Sequence, residues 1–181
     1  MVKDRNIITT DSKNVRMGEA GGHTLSVFVN NTPGVLARIA QVFSRRGYNI
    51  DSLVVSQGRD SRFARMTVGV SGDPQILDQI IRQVNKLIDV IQCSEHTSQN
   101  AVVKELILVK MQMDAEDRGE ALQVIEHFNG KAVDMTETSM IALIQGNSDK
   151  IDAAVRMLGK YEIIETVRTG KVVMARGDQA T

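Results

Sequence analysis

The stretch HTLSVFVNNTPGVLARIAQVFSRRGYNIDSL, residues 23–53, changes its hydrophobic period twice and thereby decides the fold. Apolar residues first alternate at Leu25, Val27 and Val29, which predicts a β-strand with one buried face. The next apolar residues recur at helical spacing, at Leu36, Ile39, Ala40 and Phe43. Gly47 follows where a helix would end, and YNIDSLVVS predicts a second strand.

The same kind of pattern continues along the chain and is then repeated. A third strand, a helix that begins at Asp73-Pro74 and a fourth strand complete one set, and the order recurs after a polar stretch. We therefore predict an α+β fold of two tandem ferredoxin-like βαββαβ units, with antiparallel sheets that carry helices on one face. The predicted parts are a flexible tail at 1–22, a first unit at 23–97, a linker at 98–104, a second unit at 105–176 and a tail at 177–181. Each unit leaves one sheet face without helices, so we expect a homodimer at least.

Composition and charge narrow the classes of function. Lys and Arg together number 22, as do Asp and Glu, and this balance argues against nucleic acid or an anionic membrane as a partner. RNA-binding domains can share the strand order, but they stack bases on aromatic side chains, and this chain has four Phe, two Tyr and no Trp. No apolar run approaches the length of a membrane span, and the first residues do not resemble a signal peptide. We expect a cytoplasmic protein.

Side chains for catalysis or for binding a metal are not brought together by any recognisable motif. The three histidines, His23, His96 and His127, lack the spacing of metal ligands, and the single cysteine, Cys93, is expected to be a small core residue. We therefore predict a chain that is not an enzyme and that holds no cofactor or metal.

The start of the first helix is the strongest candidate for a binding site. We expect Asn31 or Thr32 to cap a helix that opens at Pro33, whose free N–H groups would attract a carboxylate. Gly34 would let a ligand approach the backbone, and the amides of Asn31 and Asn49 could bind the ligand's ammonium and carboxylate groups. If Gly47 turns the chain straight back, the loop before the helix and the stretch YNIDS lie at the same edge. A small amino acid is then the expected ligand. The alternative is that these residues have structural roles only. Asn31 would then be a turn residue, Gly34 a site of close helix–strand packing and Asn49 an amide at the edge of a strand.

The motifs FSRRGYNIDSL, LIDV and KELILVK, at these distances, resemble the family of small regulatory subunits of acetolactate (acetohydroxyacid) synthase. The likeness begins near residue 23 and reaches the TGKVVMARG ending, and it implies that the first unit is an ACT domain. It further implies a subunit that activates a catalytic large subunit and confers feedback inhibition by valine, with leucine or isoleucine as possible competitors. The cofactors thiamine diphosphate, Mg²⁺ and FAD would belong to that large subunit.

The resemblance also implies where the effector binds, at the interface between two ACT domains. Asn31, Gly34 and Asn49 match the valine-response positions of the family. The full expected effector site is Asn31, Pro33, Gly34, Val35, Leu36, Asn49 and Ile50. The second half lacks a Pro-Gly pair at its helix start, so we expect a site in the first half only. A stand-alone ACT-type sensor that acts on another enzyme or regulator is the alternative.

Overall fold

A computed structural model describes residues 22–178 and residue 181, so the predicted tail 1–22 lies outside the described residues except for Gly22. In the first half the elements are β1 (Gly22–Asn30), α1 (Val35–Arg45), β2 (Ile50–Gln57), β3 (Phe63–Ser71), α2 (Pro74–Val84) and β4 (Val90–His96). In the second half they are β5 (Ala101–Gln112), α3 (Arg118–His127), β6 (Lys131–Met135), β7 (Ser139–Gly146), α4 (Ser148–Leu158), β8 (Glu162–Arg168) and β9 (Val172–Ala175). In this part of the chain, no helix is both long and apolar enough to cross a membrane.

Two antiparallel sheets confirm the predicted α+β class. The strand order is β2-β3-β1-β4 in the first sheet and β6-β7-β5-β8 in the second, which is the same path in both. Each sheet packs two helices on one face because each helix buries a single apolar stripe. The duplicated βαββαβ arrangement follows from this repeat.

Two apolar clusters form the cores, one under each pair of helices. The first contains Leu25, Ile39, Phe43 and Leu77, and the second contains Met111, Ile125 and Ile151. Cys93 lies in the first cluster, where burial raises the pKa of its thiol to about 12. A thiol that stays protonated at neutral pH is a poor nucleophile, so Cys93 is a packing residue, as predicted.

The predicted linker at 98–104 is only partly correct. Residues 101–104 form the beginning of β5 and pair with β9, with Ala101 opposite Ala175 and Lys104 opposite Val172. Ala101 is buried, which explains why an apolar run beginning at this residue joins a sheet. The connection between the units is therefore confined to residues 97–100, and the later residues were assigned wrongly because their partner strand lies about 70 positions away in sequence.

A buried ion-pair network ties the second sheet to α4. The Arg168 guanidinium donates from Nε to Glu105 Oε2 at 2.5 Å and from Nη1 to Asp152 Oδ1 at 2.7 Å. Burial by itself would raise the pKa of the Glu105 carboxyl, but hydrogen bonds from Arg168 and Ser148 outweigh it and hold this pKa below its ordinary value. Glu105 therefore stabilises the fold in its ionised form.

Replacement of Glu105 by glutamine is expected to lower the free energy of unfolding by about 1.5–3 kcal/mol at neutral pH, because a charged hydrogen bond is lost. A lowered folded-state pKa means that the stabilisation is complete above the ordinary pKa of about 4.3 and is lost as the pH falls through the folded-state value. The difference between wild type and Glu105→Gln should therefore close in acid. Thermal unfolding between pH 7 and pH 3 measures it, and Glu162→Gln, which removes an exposed carboxylate from β8, is the control. A difference that stayed constant over this range would contradict the role of the ionised carboxylate.

Candidate effector site

The segment between β1 and α1 has a different geometry from the predicted one. The helix does not open at Pro33; it begins at Val35, and Gly34 is its N-cap residue with φ of 81°. This left-handed conformation is easy for glycine and costs other residues free energy. Gly34 is therefore required by the turn itself, independently of any ligand. We call residues 31–34 the effector loop.

The start of α1 carries unsatisfied backbone donors. The N–H of Val35 reaches Thr32 O at 3.4 Å, whereas the N–H groups of Leu36 and Ala37 have no acceptor among the described residues. By contrast, the start of α2 is capped by the Asp73 carboxylate, which accepts from Gln75 N at 2.8 Å. Free N–H groups at the positive end of a helix dipole favour an anionic ligand.

The two predicted asparagines are exposed, and each amide group is oriented by a neighbour. Asn31 Nδ2 donates to Ser61 O at 3.0 Å, and Asn49 Nδ2 donates to Asp51 Oδ1 at 3.1 Å. In each case the amide oxygen, which suits an ammonium group, and the second N–H of the amide remain for a ligand.

Asn31 and Asn49 lie at opposite ends of the sheet, so the prediction that both belong to one edge of a single chain is wrong. Asn31 follows Asn30, which is opposite Phe63, whereas Asn49 precedes Ile50, which is opposite Val70. Seven residues of strand separate these two points along β3, which is about 23 Å. Helix α1 carries the chain back along the sheet, and β2 therefore starts at the far end. One amino acid cannot touch both asparagines of the same chain.

A cavity lies at the end of the first unit that contains Asn49. It has a volume of about 430 Å³ and is lined by Ala40, Phe43, Ser44, Gly47, Tyr48, Asn49 and Ile50. The Tyr48 ring is buried and its hydroxyl donates to the Asp73 carbonyl, which fixes the chain immediately before Asn49. Burial, together with the nearby Asp73 charge, raises the pKa of Tyr48, so the hydroxyl remains a donor. This cavity is shallow and open to solvent, and its lining combines apolar residues such as Ile50 with the polar residues Ser44 and Asn49.

The apolar residues predicted for the site are in different environments. Val35 faces the core and is 5% exposed, so its side chain is not available to a ligand. Leu36 is 39% exposed at the start of α1, and Ile50 is half-buried beside the cavity. Pro33 is exposed in the turn. The available apolar contacts are thus Leu36 at one end and Ile50 at the other.

Comparison with known proteins decides the family. The family model described as the AHAS small subunit-like ACT domain matches residues 25–92, and the model described as the small subunit of acetolactate synthase matches residues 104–177. The chain belongs to the acetolactate synthase small-subunit family. Its first half is an ACT domain, and the small subunit is the regulatory, non-catalytic member that pairs with a catalytic large subunit.

Individual relatives agree with the family models over most of the chain. The probable acetolactate synthase small subunit of Archaeoglobus fulgidus is 42% identical over 87% of this chain and 98% of its own length. The acetolactate synthase small subunit of Mycolicibacterium smegmatis is 42% identical over 86% of this chain and 91% of its own length. The crystal structure of the acetolactate synthase small subunit from Thermotoga maritima superimposes with a TM-score of 0.79 and 33% identity, covering 88% of this chain and all of that one.

In this acetolactate synthase small subunit, sequence reasoning missed two contacts of the effector loop. Ser61 orients Asn31, and Asp89 binds Thr32 and Arg38. Asp89 lies in the LIDV motif, but the sequence does not show that either residue contacts the loop, because both lie in connections that meet the end of β1 only in the folded sheet. Among the described residues, no group of three metal-ligating side chains converges.

Proposed function

We propose that this small subunit binds valine between two ACT domains and thereby confers feedback inhibition on the acetolactate synthase catalytic subunit in branched-chain amino acid biosynthesis. The site combines the effector loop and helix start of one chain with Asn49 and the adjacent cavity of the other. The observation that supports this proposal is the separation of Asn31 from Asn49 in one chain, because one amino acid could contact both asparagines only if they came from different chains.

The edge strand β2 supports a way of joining the two halves. Among the described residues β2 pairs only with β3, so its other edge is open, and Val55 on this strand is 49% exposed. An open edge with apolar side chains is a template for pairing with another strand. If two β2 strands pair antiparallel about a twofold axis, the Gln57 end of one meets the Ile50 end of the other. The start of one α1 then approaches the cavity of its partner, and a homodimer has two equivalent sites.

The charges at the helix starts support a site in the first unit alone. The first turn of α1 has no acidic residue, whereas α3 has Asp117 at its N-cap and carries Glu120 in its first turn. Acidic side chains at a helix N-terminus already satisfy its dipole and repel a carboxylate. The second unit therefore has no equivalent of the effector loop.

The expected affinity suits a metabolite sensor. Charged hydrogen bonds to the ligand contribute about 1.5–3 kcal/mol each, and burial of the valine side chain contributes about 1.5–3 kcal/mol. Association costs several kcal/mol, so a Kd between about 1 µM and 1 mM results. If valine binds one arrangement of the dimer better than another, it increases the fraction of dimers in that arrangement. The surface presented to the catalytic subunit then changes. Thiamine diphosphate, Mg²⁺ and FAD remain with the catalytic subunit in this scheme.

Calorimetric titration of the full-length chain with L-valine tests the proposal. We expect saturation at about one valine per chain, and we expect Asn49→Ala to weaken binding at least about tenfold because an amide contact to the ligand is lost. The same variant should bind and activate the catalytic subunit normally. Leucine, isoleucine, serine and lysine, titrated in parallel, define the selectivity.

The matched control is Gln92→Ala, which removes an exposed amide from the other edge strand, β4. It should leave valine affinity unchanged. If valine fully inhibits the enzyme reconstituted with the Asn49→Ala subunit, the assignment of Asn49 to the valine site is refuted.

A further inference from the structure

The Asp89 carboxylate holds the effector loop and α1 at the same time. Its Oδ1 accepts from Thr32 Oγ1 at 3.1 Å. Its Oδ2 accepts from Arg38 Nε at 2.9 Å and from Arg38 Nη2 at 2.6 Å. Asp89 therefore bridges the turn before the helix and the first full turn within it, using both carboxylate oxygens.

The backbone of Asp89 makes a further connection to the same region. The Asp89 carbonyl accepts from Asn30 N at 2.8 Å, at the last residue of β1. The side chain of Asp89 is only 15% exposed, so its bonds are shielded better than those of an ordinary surface ion pair. On the opposite side of the loop, Asn31 N donates to Arg62 O at 2.7 Å. The effector loop is thus held from two sides, by the β2–β3 connection and by the residue before β4.

The Arg38 guanidinium lies directly beside Gly34. A Cβ atom on Gly34 would be 3.2 Å from Arg38 Nη1. Because Asp89 engages Nε and Nη2, the guanidinium is fixed with its remaining nitrogen next to the glycine where the ligand's carboxylate is proposed to approach. Without Asp89, this long cationic side chain would be free to move over the glycine and the exposed N–H groups.

We propose that Asp89 is a positioning residue for effector binding, acting through Thr32 and Arg38. This inference rests on the proposed function of the same site. Asp89 does not touch the ligand; it fixes the direction of the N–H groups at the start of α1 and holds the Arg38 charge in place. Its loss should therefore weaken valine binding while the sheet and the surface presented to the catalytic subunit stay unchanged.

The test uses the full-length chain, alone and reconstituted with the catalytic subunit. For Asp89→Asn we expect at least a tenfold higher Kd for L-valine, with the subunit concentration for half-maximal activation within twofold of wild type. Thr32→Val removes one of the three side-chain bonds and should raise the Kd at least threefold. The control Glu120→Gln breaks the exposed ion pair with Lys160 in the second unit and should change neither quantity. If Asp89→Asn does not fold, the Kd of Thr32→Val for valine tests the proposal instead.

A positioning role predicts that Asp89 and Arg38 act as one unit. The Kd for valine of the double variant Asp89→Asn/Arg38→Gln should therefore be within twofold of the Kd of the single variant that binds valine more weakly. Wild-type valine binding with an unchanged Kd in both Asp89→Asn and Thr32→Val would overturn this inference and leave the proposed function intact. A parallel loss of thermal stability, activation and valine binding would also overturn it, because Asp89 would then be a structural residue. Absence of valine binding by the wild type would overturn both proposals.

Discussion

Replacement of Gly34 by alanine is expected to abolish the valine response at metabolite concentrations while the subunit still folds and activates the enzyme. Two effects combine at this position. The φ of 81° costs a residue with a Cβ about 1–2 kcal/mol, and the added methyl group would lie 3.2 Å from Arg38 Nη1, where the ligand's carboxylate is proposed to approach. Loss of two charged hydrogen bonds to the carboxylate corresponds to about 3–6 kcal/mol, or more than 100-fold in Kd.

The control for Gly34→Ala separates backbone strain from obstruction of the site. Gly177 has a φ of 72°, and a Cβ on it would meet no atom within 4 Å. Gly177→Ala should therefore lose a similar amount of stability but keep wild-type valine affinity. Calorimetry gives the affinities, and denaturant unfolding gives the free energies. A Gly34→Ala chain that binds valine as tightly as wild type would exclude the effector loop from the site.

A mixture of Asn31→Ala and Asn49→Ala chains is expected to recover valine sites of wild-type affinity, which neither variant has alone. If each site takes Asn31 from one chain and Asn49 from the other, a heterodimer of the variants has one intact site and one site without either amide. Random pairing makes half of the dimers heterodimers, so about a quarter of the wild-type number of sites returns. Those sites should have the wild-type Kd.

The measurement is a calorimetric titration after the two variants have been unfolded and refolded together. Each variant refolded alone is the reference, and a mixture of either variant with wild type checks that the chains exchange. Recovery of intact sites supports a shared site and the β2-to-β2 pairing together. If exchange is complete and no site returns, the two asparagines do not act across a dimer interface.

The strands and helices of this chain could be predicted from sequence because most of their burial is periodic. Leu25, Val27 and Val29 alternate, and all three are fully buried in the first core. The start of β5 was missed for the opposite reason. Residues 101–104 owe their strand conformation to β9, a partner that local sequence does not reveal. A strand that depends on pairing with a distant segment cannot be recognised from the residues around it alone.

The residues of the effector site stay a prediction, but the structure shows that their geometry differs from the expected one. The Pro33-Gly34 pair predicts a helix that opens at Pro33, whereas the left-handed turn at Gly34 delays the helix to Val35. The distance between Asn31 and Asn49 depends on the direction in which α1 returns along the sheet, which amino-acid composition does not reveal. An 11-residue helix spans about 16 Å, so it returns the chain to the far end of the sheet before β2 begins. The contribution of Asp89 depends on three loops meeting, which sequence patterns do not encode.

The uninterrupted course of β5 restricts how the two halves can be recombined with those of relatives. A chimaera joined near residue 104 would cut this strand and separate its first four residues from β9. The short turn at 97–100 is the natural junction, since Thr97 N donates to Asn100 Oδ1 and Ala101 N donates to Thr97 O within it. Exchange of ACT domains at that turn transfers the effector loop, β2 and Asp89 as one piece. Ser52 of β2 lies against Gly170, where an added Cβ would be 2.6 Å from Ser52 Cβ, so an exchanged ACT domain must also fit the second half at this point.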